Sequence, residues 1–228
     1  AELTTVALWY MDPMGNFTED LQGRMQRCDF CCFALPEPCE AARAAGITAF
    51  FVHEGFDPLI DRPAAAEGKH EVSFIGALRN EARRRYRQAV DFHLYERAFG
   101  RDHARAVAET KINLNFTEGG TSDRSYKIMA AGGFLLSEPW PGMEEDFAIG
   151  RDLDVFHDED ELKSKIDYYL TNEAERRSIA ANGRRTVQKF SRHNWAKRIL
   201  ELAAAHSGSA PVAEPIRATT PVYVIVGK

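Results

Sequence analysis

The 228-residue sequence lacks any apolar run approaching the roughly 20 residues that a helix needs to cross a bilayer, so no membrane span is expected. It also lacks a basic excess, because 29 Lys and Arg stand against 34 Asp and Glu, for a net charge of −5. A protein that coats nucleic acid neutralises phosphates with a basic face, so nucleic acid is not an expected partner. No signal peptide is visible at the start, although the first residue is not Met, and the expectation is a cytoplasmic protein. No internal repeat is visible. Cysteine is scarce, with four residues at Cys28, Cys31, Cys32 and Cys39. A Cys-x-x-Cys pair can signal zinc or redox chemistry, but no second pair follows at zinc-finger spacing. Cys31 and Cys32 fall in Phe30-Cys-Cys-Phe-Ala-Leu35, which reads as a buried strand. Neighbouring strand residues point to opposite faces, so the four thiols do not converge on one metal, and core packing is the expected role.

What is present is an ordinary globular composition, 44% hydrophobic and 28% charged. Short β-branched and aromatic runs alternate with helical stretches, the signature of βαβ units around parallel sheets. Strands are expected at Val6–Tyr10, Phe30–Leu35 and Ile47–Val52, joined by helices near Leu21–Arg27 and Pro38–Ala45. Asp57–Lys69, with two prolines, a Gly and an Ala run, reads as a linker. A second βα series follows, with strands at Glu71–Ile75, Phe92–Tyr95, Lys111–Phe116, Phe134–Ser137 and Leu153–Phe156. Helices are expected at Glu81–Val90, Asp102–Glu109, Ser122–Ala131, Glu159–Leu170, Glu173–Lys189 and His193–Ala205. Residues 206–220 are rich in Ala, Ser, Pro and Thr and read as flexible. Pro221–Gly227 reads as a strand that either pairs with the small N-terminal sheet or begins a further domain. The expected division is therefore 1–60, a linker at 61–70, 71–205 and a tail at 206–228.

In open parallel sheets, ligands bind at the carboxyl ends of strands, where helix N-termini offer free N–H groups. Phe74-Ile-Gly-Ala-Leu-Arg-Asn80 is one such place, because Gly76 follows a strand and Arg79, Arg83 and Arg84 lie at or near the helix start. It reads either as a diphosphate site, with close backbone approach and bidentate arginine pairing, or as a tight turn before a solvated basic helix. The second place, Asn113 to Leu136, is a strand, polar loop, helix and strand. Glu118 and two glycines occupy its loop, Ser122 is a plausible N-cap, and Arg124 stands in the first helical turn. An arginine beside a helix N-terminus favours an anion, and Glu118 can accept from sugar hydroxyls. Asp12 reads as a turn cap or a general base, and His53 as structural or catalytic. Trp140 reads as a stacking platform or a packing residue. Asp152-Leu-Asp154 enters a strand and is discounted as a metal motif, while His157-Asp-Glu-Asp-Glu161 reads as a helix cap with an acidic first turn.

Lys127-Ile-Met-Ala-Ala-Gly-Gly-Phe-Leu-Leu136 resembles the final motif block of GT-B glycosyltransferases related to family 4, in particular the group 1 subgroup called spore-maturation-protein-B-like. Val72–Gly76, Lys111–Phe116, Pro141–Glu145, Asp152–Phe156 and Ser191–Ile199 match in the same order, as do Leu8–Asp12 and Val52–Pro58 earlier. The resemblance implies an α/β fold of Rossmann-like parallel sheets, GT-B type, with a reduced N-terminal acceptor-side domain. It implies a glycosyltransferase that moves a sugar from a nucleoside diphosphate sugar, UDP- or GDP-linked, to an unknown acceptor. No metal or other cofactor is implied, and retention of configuration is the family expectation. Gly76, Arg79 and Arg83 would approach the diphosphate. Glu118, Ser122, Arg124 and Tyr126 would face phosphates and donor sugar, Phe99-Gly100-Arg101 the base, and Glu144 and Glu145 the sugar. Asp12, His53 and Glu118 are the catalytic candidates.

The sequence departs from the family at Lys127, where a glutamate usually accepts from the ribose hydroxyls. Lysine only donates, so it would pair instead with a phosphate or with Glu118. The region between Arg87 and Asp102 is short, and the N-terminal part is about half a domain, which points to a homodimer as a means of completing it. A nucleotide-sugar epimerase or hydrolase, and a non-catalytic assembly protein of the same fold, are the alternatives.

Overall fold

The computed structural model describes residues 5–12, 14–66, 68–117, 120–206 and 222–226, the last for the backbone alone. The chain forms two units, 1–54 with 193–228, and 55–192.

The first unit carries strands β1 (Thr5–Tyr10), β2 (Phe30–Phe33) and β3 (Ala49–Phe51), connected by helices α1 (Glu19–Met25) and α2 (Pro36–Ala44). Thr18 caps α1 by accepting from the Leu21 amide at 3.3 Å, and Glu19 and Asp20 complement the helix dipole. Pro36 opens α2, where its missing N–H costs nothing, and Gly46 follows the helix at φ +78°. One face of the sheet buries Leu8, Tyr10, Cys31 and Phe33 against Met25, Cys39 and Ala42. The other face, Ala7, Phe30, Cys32 and Val52, is covered by Ile199, Leu202 and Ala203. Cys31 and Cys32 thus serve opposite cores, as strand alternation requires. All four cysteines are free, and burial pushes the Cys31 and Cys32 thiols up to about 12.

That second face corrects one boundary. The helix expected near 193–205 falls within the 71–205 domain by sequence, but α9 (Arg192–His206) packs on the small sheet, with Trp195 and Trp9 rings 4.5 Å apart. The cause is topological. The strand expected at the C-terminus runs from Val222 to Val226 and pairs parallel with β1, Thr5 opposite Val222. Parallel neighbours need a crossover, and α9 lies on the face that α1 and α2 leave open. The sheet is therefore four-stranded, in the order β3, β2, β1 and this last strand.

The second unit holds β4 (His70–Ile75), α3 (Glu81–Ala89), β5 (His93–Tyr95), α4 (Arg101–Ala108), β6 (Thr110–Asn115), α5 (Asp123–Ala130) and β7 (Leu135–Ser137). A short α6 (Met143–Asp146), β8 (Asp154–Val155), α7 (Glu159–Thr171) and α8 (Glu173–Thr186) complete it. The remaining strand of the first sheet, Val222–Val226, is β9. All five strands of the second sheet are parallel, in the order β5-β4-β6-β7-β8. Tyr86 of α3 and Leu162, Ile166 and Tyr169 of α7 cover Val72, Phe74, Ile112 and Leu114. On the other face α4 and α5 supply Ala104, Val107, Ile128 and Met129. The chain leaves β4 toward one edge and returns across it to β6, so the loops after β4 and β6 diverge to opposite faces. That divergence opens a crevice at their carboxyl ends, the usual ligand site of such sheets.

Several polar groups read from the sequence turn out to hold the fold. Asp158 caps α7 by accepting from the Glu161 amide at 2.8 Å, while Glu161 reaches back to accept from the amide of His157, the residue before the cap, at 2.9 Å. Asp152 accepts from the Ala148 amide and Arg151, and Asp154 from Lys165 and the Tyr169 hydroxyl. Trp140 is buried against Phe147 and is a packing residue. The short α6, absent from the sequence reading, begins at Gly142 with φ +80°. Within the 57–69 segment, Asp61 closes a tight turn by accepting from the Asp57 amide at 2.8 Å.

Candidate functional site

Phe74, near the end of β4, is the floor of the crevice. Two guanidiniums lie over its ring, Arg83 of α3 at 5.4 Å and Arg124 of α5 at 4.9 Å from the centroid. Such contacts stabilise a cation without consuming its hydrogen-bond donors. Gly76 follows, at φ +154°, and a Cβ there would stand 2.9 Å from Phe74 Cζ and 3.0 Å from Arg124 Nη2. Glycine at this position therefore keeps the Arg124 guanidinium against the backbone. A side chain would occupy that space.

Each arginine is anchored. Asn80 caps α3 by accepting from the Arg83 amide at 2.8 Å, and the Arg83 guanidinium donates to the Ala77 and Phe116 carbonyls at 3.0 and 3.3 Å. Arg124 Nη1 donates to Asn115 Oδ1 at 2.8 Å. The Asn115 amide donates in turn to Ser125 Oγ at 3.0 Å and Ser137 Oγ at 3.1 Å. Asn115 is fully buried at the end of β6, so a single amide ties β6, α5 and β7 to the arginine. Sequence reasoning passed over it, although two asparagines alternating with Ile112 and Leu114 in a buried strand were a usable signal.

The head of α5 faces the same crevice. Ser122 sits at its N-cap in extended conformation, but its side chain makes no capping bond. The Ser122 and Thr121 hydroxyl oxygens are buried without a hydrogen-bond partner among the described residues. Two such hydroxyls at a helix N-terminus suit an anion. Next to them, Arg83, Phe116, Thr117, Glu138 and His157 line a recess of about 280 Å³. Glu138 organises its rim by accepting from the Thr117 amide and the Tyr86 hydroxyl, both at 2.9 Å. A larger hollow of about 560 Å³, around His70, His93 and Leu170, opens at the amino edge of the sheet.

The other sequence-derived candidates fall as follows. Arg79 is exposed at the start of the α3 loop. Phe99 is 77% exposed and precedes Gly100, the N-cap of α4 at φ +56°. Glu144 and Glu145 are exposed on α6. Tyr126 corrects the sequence reading: it is buried in the core with its ring against Phe147 and Phe190, because the inward face of α5 must be apolar. Lys127 forms an ion pair with Asp123, one turn back on the helix. Glu118 lies outside the described residues. Asp12 and His53 belong to the first unit, where they follow β1 and β3 at the carboxyl end of that sheet. The Phe51 and His53 rings are 4.5 Å apart, and burial, aided by Asp12, pushes Tyr10 up to about 12. Among the described residues no group of three or more His, Cys, Asp or Glu is placed to hold a metal ion, and no helix is long and apolar enough to cross a membrane.

Comparison with known proteins bears on this geometry. HepE of Anabaena, solved in complex with UDP and glucose, matches with a TM-score of 0.68 at 12% identity, over 87% of this chain and 72% of that one. A glycosyltransferase from Rickettsia africae matches with a TM-score of 0.62 at 10% identity, over 90% and 71%. Sucrose-phosphate synthase from Thermosynechococcus elongatus matches with a TM-score of 0.59 at 12% identity, over 81% of this chain and 60% of that one. At such identities these likenesses speak to the fold, the parallel two-sheet architecture of GT-B enzymes. No curated protein matches the sequence. The sequence profile of the family described as glycosyl transferase-like matches residues 59–204, which take in the whole crevice and most of the chain. The chain thus belongs to the glycosyl transferase-like family and folds as its GT-B members do.

Proposed function

We propose that the protein transfers a sugar from a nucleoside diphosphate sugar, bound at the β4/β6 crevice, to an acceptor hydroxyl, without a metal ion. One observation carries this reading: Arg83 and Arg124 converge on Phe74 beside a glycine that leaves room for the backbone to approach phosphate. The α5 N-terminus and the buried Ser122 and Thr121 hydroxyls, which have no partner among the described residues, add donors at the same place. Transfer breaks the bond between the anomeric carbon and the outer phosphate oxygen. Negative charge then grows on the departing diphosphate, which is where the two guanidiniums and the helix dipole act. They supply positive charge that a divalent cation supplies elsewhere, which supports metal independence.

The acceptor oxygen must lose a proton as it bonds to the anomeric carbon. Asp12, His53 and Glu118 are our candidates for receiving it. Retention of configuration rests on the family resemblance. That HepE was solved with UDP and glucose supports UDP as the first nucleotide to try.

The test is calorimetric titration with UDP, GDP and their sugars, followed by incubation with donor alone and with candidate acceptors. Saturable binding that Arg124→Ala weakens is expected. If no nucleotide or nucleotide sugar from a broad panel binds, the reading is wrong. An epimer or free sugar formed stoichiometrically from donor alone would replace transfer by epimerisation or hydrolysis.

A further inference from the structure

His103 occupies the first turn of α4, three residues after the exposed Phe99-Gly100 corner. It is only 6% exposed, yet neither ring nitrogen has a hydrogen-bond partner among the described residues. A neutral imidazole carries one donor and one acceptor, and burying both unmet is costly unless something else meets them. The charged groups near it, Asp123, Arg124 and Lys127, all come from the first two turns of α5. The ring therefore lies between the heads of two helices that start at the same edge of the sheet. Asp123 and Lys127 are already paired with each other, and Arg124 is bonded to Asn115, so none of these supplies the missing partner.

This inference rests on the donor-site reading above. The pentose of a nucleoside diphosphate is joined to its inner phosphate through a single methylene. With the phosphates at Gly76, Arg124 and the head of α5, the pentose must lie within about a turn of that helix. Its hydroxyls both donate and accept, the complement of a neutral imidazole. We propose that His103 is a pentose-binding residue, its ring nitrogen hydrogen-bonding a ribose hydroxyl of the donor nucleotide. Lys127, which only donates and is tied to Asp123, does not itself offer the pentose an acceptor.

The experiment compares wild type with His103→Leu, using UDP, GDP, their 2′-deoxy and 3′-deoxy forms, and inorganic pyrophosphate as probes. Wild type should prefer one ribonucleotide over its deoxy form by about fivefold to tenfold, the span of one neutral hydrogen bond. His103→Leu should erase that preference and leave pyrophosphate binding unchanged. Leucine fills the site without polar atoms, so its melting temperature should equal or exceed that of wild type, which excludes simple unfolding. His103→Asn and His103→Gln place an amide near one or the other ring nitrogen, and partial recovery by either identifies the nitrogen used. An unchanged preference in His103→Leu, or equal weakening of ribo and deoxy forms, would overturn the assignment and make His103 a core residue. Failure of every nucleoside diphosphate to bind wild type would sink the donor-site reading itself, and this inference with it.

Discussion

Arg124 and Asn115 are joined by a 2.8 Å bond from guanidinium to amide oxygen, and the other end of that amide holds Ser125 and Ser137. The arginine is thereby fixed before any ligand arrives. A preorganised guanidinium loses little rotamer freedom on binding a phosphate, so less of the binding energy is spent on ordering it.

Removing the arginine should be the most damaging single change at the crevice. Arg124→Ala is expected to weaken nucleoside diphosphate binding by roughly 1.5–3 kcal/mol, or about tenfold to a hundredfold, as read by calorimetry. Arg79→Ala, which removes an exposed side chain, should change binding much less.

Asn115→Leu tests the anchor rather than the ligand contact. It leaves the guanidinium and two buried hydroxyls without their amide, so urea unfolding should show a loss of about 1–3 kcal/mol. Affinity should also fall, by less than in Arg124→Ala. Unaltered affinity in a folded Asn115→Leu protein would mean that Arg124 does not need its anchor.

Gly76→Ala and Gly183→Ala separate a site glycine from a packing glycine. At Gly76 the added methyl meets the end of Arg124 and the Phe74 ring, and φ +154° strains any L side chain, so binding should fall together with stability. At Gly183, inside α8, the methyl would stand 2.1 Å from the Asp152 carbonyl oxygen, a backbone atom that has nowhere to move. That variant should lose about 3 kcal/mol or more in denaturant unfolding.

His103 also gives a pH dependence of known sign. Burial, with Lys127 and Arg124 adding to it against Asp123, pushes its pKa from 6.5 down to about 4. Above pH 6.5 the ring is neutral in both folded and unfolded states and contributes nothing to the slope. Between 6.5 and about 4 only the unfolded chain takes the proton, so stability falls as pH falls, by on the order of 3 kcal/mol across the window. His103→Leu should remove this part of the acid sensitivity, measured as unfolding free energy at pH 7, 5.5 and 4.5. An identical pH slope in the variant would count against a buried neutral imidazole.

Metal independence has its own measurement. Transfer activity should be the same with excess chelator as with added magnesium or manganese, because Arg83, Arg124 and the α5 amides supply the positive charge. Activity that vanishes with chelator and returns with one cation would reverse this.

The sequence by itself determined the alternation of strands and helices, because apolar periodicity and caps such as Thr18, Asn80 and Asp158 are local. It also determined the family, since Lys127–Leu136 and the ordered blocks around it are contiguous. What it could not supply was anything resting on distant contact. The sequence reading put the last helix with the larger domain, whereas only the parallel pairing of β9 with β1 shows why that helix must cover the small sheet. Tyr126 looked like a ligand residue until the face of α5 it occupies proved to be the buried one. Asn115 and His103 acquired their roles only when β6, α4 and α5 came together. A hydrogen bond between elements depends on which faces meet, and that is decided by how helices and strands assemble rather than by the residues on either side in the chain.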